Sequence, residues 1–135
     1  MAKRGSRGWL VKASRDLRAV EAVMSIKPPL LDVAGFHCQQ AIEKCFKYYL
    51  SIRRQKIRKI HDLGELHDLV LQAGWSFDLK TSALDRISYC AVIVRYPEAD
   101  DGRLTKTSVT SWLKFAKKVY EYVQALDENG TRTQE

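Results

Sequence analysis

Residues 34–49 read AGFHCQQAIEKCFKYY and carry a continuous helical pattern. Apolar side chains recur there at intervals of three and four, which places them on one face of an α-helix. The stripe consists of Ala34, Cys38, Ala41, Ile42, Cys45 and Tyr49. It predicts a long central helix, and prolines are tolerated at its opening because the first helical turn leaves its N–H groups unpaired anyway.

The segment before this helix shows the same periodicity. Apolar residues recur at three and four from Trp9 to Met24. Pro28-Pro29 then ends the pattern, because a proline ring clashes with the preceding turn and donates no hydrogen bond. A first helix is therefore predicted over about residues 7–26.

Two further helices are predicted in the middle of the chain. Asp62 with Glu65 three residues later is typical of a capping box, so a short third helix should begin there and stop at Gly74. Asp78 is predicted to cap a fourth helix. That helix should end at Tyr96-Pro97, since proline disfavours helical backbone in the residue before it.

A last helix is predicted to begin between Thr105 and Ser108 and to be closed by Asn129-Gly130. No alternating strand pattern or repeat competes with the helices. The fold class is therefore all-α, with about five helices in an antiparallel up-and-down bundle. A chain of 135 residues has room for one domain, expected to span residues 1–135 with a core of about 7–127 and frayed ends.

The composition favours a basic cytoplasmic protein. The net charge is +7 and the isoelectric point is near 9.4, so a polyanion would be attracted. Much of the excess lies in two segments, residues 3–18 and 44–59; a solvated basic face is the alternative interpretation. No apolar run is long enough for a membrane span. The three cysteines lack CxxC spacing and are interpreted as buried, reduced thiols.

An ordered set of short motifs resembles one known family. The set comprises Phe36-His37-Cys38-Gln39-Gln40-Ala41-Ile42-Glu43-Lys44, then Lys47, His61-Asp62-Leu63 and Arg95-Tyr96-Pro97. Together they resemble the HEPN family (higher eukaryotes and prokaryotes nucleotide-binding). The resemblance implies a bundle with a long kinked second helix, commonly a dimer, often encoded beside a minimal nucleotidyltransferase and associated with nucleotides or RNA.

Polar residues on the central helix form a second stripe beside the apolar one. His37, Gln40, Lys44 and Lys47 follow spacings of three and four. The family resemblance implies a groove that binds nucleotide or phosphate, assigned to His37, Lys44, Lys47, Arg95 and Tyr96. The alternative is a set of hydrogen bonds between packed helices, which we favour for Gln40 and Glu43.

Some HEPN proteins are metal-independent ribonucleases that use an Arg and a His separated by four to six residues before the last helix. The corresponding corner here begins at Arg95 and contains no histidine. Arg54 and His61 have the required spacing, but they fall between the second and third helices, so they are weak catalytic candidates. No metal ligand set or cofactor motif is present in the sequence.

The leading hypothesis is thus a binding module, one half of a two-component system resembling a toxin–antitoxin pair, with a minimal nucleotidyltransferase as partner. A ribonuclease toxin and a purely structural interaction domain are the alternatives. The sequence does not say which member would be the toxin. A homodimer is also expected, because aromatic residues on the first and last helices exceed the needs of one core: Trp9, Trp112, Tyr120 and Tyr122.

Overall fold

Five α-helices and one short 3-10 helix make up the regular structure. The structure is a computed structural model that describes residues 5–57, 59–100 and 102–126. The helices are α1 (Ser6–Met24), α2 (Leu31–Ile52), α3 (Leu63–Gln72), α4 (Thr81–Arg95) and α5 (Lys106–Gln124), with the 3-10 helix at Pro97–Ala99. No strand occurs in these ranges. The all-α fold class with about five helices is therefore confirmed.

The helix α2 is the centre of the bundle. It contacts each of the other four α-helices, and its apolar stripe from Ala34 to Tyr49 is completely or almost completely buried. Residues 45–52 are all buried, including polar ones. A helix enclosed by neighbours on all sides needs side chains that suit the interior around its whole circumference. This explains why polar residues of α2 must find partners inside the protein.

Two of the expected helix starts are confirmed. Asp62 caps α3, because its carboxylate accepts hydrogen bonds from the backbone N–H groups of Gly64 (2.8 Å) and Glu65 (3.2 Å). Thr105 and Ser108 form a reciprocal capping box at the start of α5. Such caps satisfy N–H groups that the helix itself leaves unpaired.

The expected cap of α4 is wrong. The helix begins at Thr81, after Lys80, and no side chain caps it. The indole N–H of Trp75 donates to the carbonyl of Phe77 (2.6 Å), and Leu79 is buried. These two anchors hold the chain between α3 and α4 outside the helix, so Asp78 lies too early to cap it.

The other helix limits differ by small amounts. The first helix ends at Met24, followed by the cap residue Ser25, and not at residue 26. Gly74 follows α3 with φ +109°, a backbone conformation that suits glycine. The last helix ends at Gln124. The proposed stop at Asn129-Gly130 lies outside the described residues.

An aromatic cluster joins three parts of the bundle. The ring of Trp75 lies 5.3 Å from Phe46, 5.1 Å from Tyr49 and 4.6 Å from Tyr122, measured between centroids. Tyr122 is therefore committed to the core of its own chain, and Trp112 is also buried. The expectation that both rings would extend beyond one core is wrong, so they do not support a dimer face. Trp9 and Tyr120 are half-buried.

Gly35 sets the distance between α2 and α4. A Cβ built on Gly35 would lie 2.7 Å from the sulfur of Cys90, which is fully buried. Real Cβ atoms do not approach a sulfur this closely. The absence of a side chain on Gly35 therefore allows the two helices to pack as they do.

We predict that Gly35→Ala destabilises the protein by about 1–3 kcal/mol, because the added methyl overpacks the contact with Cys90. Gly8→Ala is the matched control. It lies in α1 with no atom within 4 Å of the added Cβ, and should stabilise by about 0.5–1 kcal/mol through helix propensity. Urea unfolding measures both, and equal stabilities of the two variants would contradict the packing role of Gly35.

Candidate functional site

A buried carboxylate on α1 receives two polar residues of α2. Asp16 is 7% exposed. One of its oxygens lies 2.8 Å from Nδ1 of His37, and the other accepts a hydrogen bond from Nζ of Lys44 at 2.6 Å. An ion pair and a histidine contact at this distance satisfy a carboxylate that has left water. His37 and Lys44 thus meet on a single partner inside the helix interface.

Asp16 was missed by the sequence interpretation, although a signal for it was present. Ala13, Leu17 and Val20 define the buried face of α1, and position 16 falls within the same face because three and four residues separate it from 13 and 20. An acidic residue on an apolar stripe requires a buried partner. The basic stripe on α2 supplies that partner.

A second carboxylate organises the other half of the polar stripe. Glu43 is 4% exposed, and its carboxylate accepts a hydrogen bond from Nζ of Lys47 at 3.2 Å. Nδ1 of His61 lies 3.1 Å from the same oxygen. The amide of Gln39 donates to Glu43 (3.3 Å) and to the backbone carbonyl of His61 (3.2 Å). This network attaches the loop before α3 to α2.

Lys47 is the most enclosed of the predicted phosphate-binding cations. It is 5% exposed, and its Nζ lies 5.4 Å from the centroid of the Trp9 ring, within the range of a cation–π contact. Gln40 donates to the side-chain oxygen of Gln39 at 2.8 Å. Glu43 thus connects α2 to the loop before α3, whereas the hydrogen bond of Gln40 stays within α2. The interpretation of both as helix-packing residues stays a prediction.

Arg95 and Tyr96 lie apart from these networks. They are the last residue of α4 and its C-cap, both are exposed, and the Tyr96 residue is 57% exposed. Within the described ranges, no side-chain hydrogen bond or ion pair connects either residue to His37, Lys44 or Lys47. The five predicted binding residues are thus distributed over three places and do not form one contiguous cluster of contacts.

Arg54 and His61, the weak catalytic candidates, are both on the surface. Arg54 has a left-handed backbone, with φ +58°, and the side chain of His61 is 67% exposed while it contacts Glu43. No hydrogen bond joins the two side chains in the part of the chain that the structure describes. Their catalytic role stays a prediction from spacing.

Exposed arginines gather elsewhere, in a groove between α1 and α5. The groove has a volume of about 310 Å³ and includes Arg7, Arg15, Arg18, Tyr48 and Tyr120 in its lining. Burial raises the pKa of Tyr48, and the nearby charge of Arg7 opposes part of that rise. We call this surface the arginine groove. Its three guanidinium groups form no ion pair with any carboxylate among the described residues, so their charge is available to an anion.

The second basic segment reaches the same end of the bundle. The hydroxyls of Ser6 and Ser51 are hydrogen bonded, which joins the start of α1 to the end of α2. The exposed residues Arg53, Arg54 and Lys56 follow directly after α2. A second cavity of about 410 Å³ includes Arg53, Arg54 and Gly74 in its lining. Two segments that are distant in sequence thus supply one basic end.

Buried titratable groups show no sign of catalytic activation. Burial raises the pKa of the Cys38 and Cys90 thiols to about 12, and it also raises that of Cys45. All three thiols are free and buried, which confirms that interpretation, and thiols with a raised pKa are poor nucleophiles. Burial lowers the pKa of His67, which stacks on Phe46. No group of three or more potential metal ligands occurs among the described residues.

Comparison with known proteins gives the family. A model of the HEPN domain matches residues 6–126. The chain belongs to the HEPN family. The crystal structure of an archaeal HEPN homologue has a TM-score of 0.62 to this chain at 21% identity, covering 90% of this chain and 96% of that one. At 21% identity, the likeness to that crystal structure shows a shared fold alone. No curated protein sequence matches the chain.

The family membership agrees with the ordered motifs on α2, at His61-Asp62 and at Arg95-Tyr96, all of which fall inside the matched range. The HEPN fold alone does not assign an activity, because folds host many functions. Among the described residues, no helix combines the length and apolar character needed to cross a membrane.

We predict that Glu43→Ala destabilises this HEPN domain by about 3–5 kcal/mol, because it leaves the Lys47 cation buried without a partner. The exposed pair Glu21–Lys117, at 3.3 Å, is the matched control, and Glu21→Ala should cost no more than about 1 kcal/mol. Chemical denaturation measures both effects.

The double variant Glu43→Leu/Lys47→Met should recover most of the lost stability, since apolar residues of similar size often replace a buried ion pair without loss. If Glu43→Ala lowered the free energy of unfolding as little as Glu21→Ala, burial of Lys47 would not depend on Glu43. Its charge would then be free for another role.

Proposed function

We propose that this HEPN domain is a binding module for RNA or nucleotides, that its arginine groove binds single-stranded RNA, and that the domain carries out no catalysis. The arginine groove is the observation that supports the proposal most directly. Three exposed arginines line one groove together with the half-buried Tyr120 and the buried Tyr48, at the end of the bundle where the two basic segments meet. The family membership adds support, because HEPN domains are generally associated with nucleotides or RNA.

The chemistry of the groove suits an unpaired strand. A guanidinium group binds phosphate oxygens through two parallel N–H donors, and the half-buried ring of Tyr120 offers a face on which a base can stack. Arg15 and Arg18 are three residues apart on α1, so they project from neighbouring positions of one helix face. A backbone that follows this face could contact both.

The main phosphate contacts are assigned to these arginines because Lys44 and Lys47 already form ion pairs inside the protein. A phosphate at Lys44 or Lys47 would have to compete with Asp16 or Glu43, each of which already lies within hydrogen-bond distance. His37 is 31% exposed at its side chain but contacts Asp16. Arg95 and Tyr96 are proposed as a second contact, since both side chains reach solvent.

We predict that Arg15→Gln weakens binding of a single-stranded RNA about tenfold at low salt, through loss of one charge-assisted phosphate contact. The slope of log affinity against log salt should fall by about 0.7, the value for one phosphate on a single strand. Lys27→Gln is the matched control. It removes the same charge from the exposed turn after α1, and fluorescence anisotropy compares the three proteins.

Three outcomes would count against this function. Equal losses in Arg15→Gln and Lys27→Gln would show attraction by net charge alone. Absence of binding by the unchanged protein at low salt would remove the proposal. Cleavage of RNA by the purified protein in EDTA, together with no cleavage by His61→Ala, would show that the chain is a ribonuclease instead.

We also propose that the domain is a homodimer, that it acts in the cytoplasm, and that it pairs with a minimal nucleotidyltransferase in a toxin–antitoxin-like system. The family resemblance supports these statements. Light scattering should give twice the monomer mass of 15.5 kDa for the protein alone. Coexpression with a nucleotidyltransferase encoded beside it should give a larger, stable complex. A monomer that leaves that protein unbound in a pull-down would contradict the assembly.

A further inference from the structure

A separate cleft lies between the start of α4 and the first half of α5. Its volume is about 600 Å³, within the range of small-molecule sites. It shares no lining residue with the arginine groove. The cleft uses residues 111–118 of α5, and the groove uses Tyr120 and residues beyond it. We call this surface the α4–α5 cleft.

Aromatic rings supply the apolar part of the α4–α5 cleft. Phe77, Trp112 and Phe115 contribute to its lining. Phe77 is half-buried and is held by stacking on Tyr122, with ring centroids 5.3 Å apart and an angle of 21°. Phe115 is also half-buried, whereas Trp112 is buried below them. Two partly exposed rings on fixed supports offer faces to a planar ligand.

Cations surround these rings. Lys80, Arg86, Lys114 and Lys118 line the cleft, and among the described residues Asp78 is the one acidic side chain in its lining. No ion pair to these four cations occurs among the described residues. The neighbouring Lys117, by contrast, donates to Glu21 at 3.3 Å. Lys114 and Lys118 are four residues apart, so both lie on the face of α5 that borders the cleft.

From this combination we infer that the α4–α5 cleft binds a small molecule in which a planar aromatic ring carries a phosphate. The half-buried phenylalanines would stack with the ring, and the unpaired cations would neutralise the phosphate. A mononucleotide has this chemistry and belongs to the ligand class of the proposed function, so the inference rests on that function. It adds a second site, distinct from the groove proposed for RNA.

The shape of the cleft favours a compact ligand over a nucleic-acid strand. Its cations and aromatic rings converge on one concavity between two helices, as in sites that enclose a small ligand. A nucleic-acid strand needs charges that are spaced along an open path, as the arginines on α1 are. Ring and phosphate recognition should therefore occur together, and neither half of the ligand should bind as well alone.

Calorimetric titration of the full chain with adenosine monophosphate tests the inference, with adenosine and inorganic phosphate as separate probes. We expect saturable binding of the monophosphate and at least about tenfold weaker binding of either probe. Lys114→Gln/Lys118→Gln should weaken binding at least about tenfold. Phe115→Leu should weaken it through loss of stacking. Lys117→Gln, changed on the same helix but outside the cleft, should bind normally.

The outcomes separate this site from the arginine groove. Arg15→Gln should leave monophosphate binding unchanged while it weakens RNA binding, and Lys114→Gln/Lys118→Gln should do the reverse. No saturable binding of adenosine monophosphate would overturn the inference and leave the RNA proposal standing. Equal affinity for phosphate and adenosine monophosphate, or equal loss in Lys117→Gln and the double variant, would also overturn it. Loss of monophosphate binding in Arg15→Gln would place that ligand in the groove.

Discussion

The pairing of Asp16 with Lys44 and His37 is the constraint on which the arrangement of α1 and α2 depends. A carboxylate buried to this extent is stable only where its partners are within hydrogen-bond distance. Ser6 meets Ser51 near the start of α1, and Asp16 meets residues 37 and 44 farther along it. These contacts fit one antiparallel register. A shift of α1 by one turn, about 5.4 Å, would break both contacts of the carboxylate.

The same constraint separates cations that hold the bundle together from cations that face solvent. Lys44 and Lys47 look equivalent to the arginines of α1 in the sequence, since all belong to basic segments. In the structure, Asp16 and Glu43 neutralise the two lysines inside the helix interfaces. The excess positive charge of the protein is therefore carried by side chains on the outside of the helices. Net charge alone could not have located those surfaces.

Periodicity and capping patterns gave the elements of the fold, because both depend on residues close in sequence. The stripe on α2, the Asp62 cap and the start of α5 depend on local features, and the structure has them where expected. Asp78 failed as a cap because Trp75 and Leu79 anchor the preceding loop through contacts with distant residues. The residues around Asp78 in the sequence do not reveal such contacts, so they could not show that Asp78 lies outside the helix start.

The candidate site was harder to predict for the same reason. The resemblance marked polar residues of α2, including Glu43, but it did not mark Asp16. The pairing of Asp16 with side chains more than twenty positions along the chain is visible only in the fold. The arginine groove and the α4–α5 cleft are each assembled from separate helices. Their residues share no spacing in the sequence that would have grouped them.

Residues of α5 line both surfaces, so the position of this helix in the bundle affects each of them. Tyr122 follows the cleft residues of α5 and lies between Tyr120 and Gln124 of the groove, and it is fixed from two directions. Its ring stacks on Phe77 of the cleft and packs against Trp75, and its hydroxyl is within 3.1 Å of the Ser76 hydroxyl. A rotation of α5 would therefore move Phe77 and its stacking face together with Tyr120 of the groove. The core contact of Tyr122 therefore holds the two surfaces in a fixed relation.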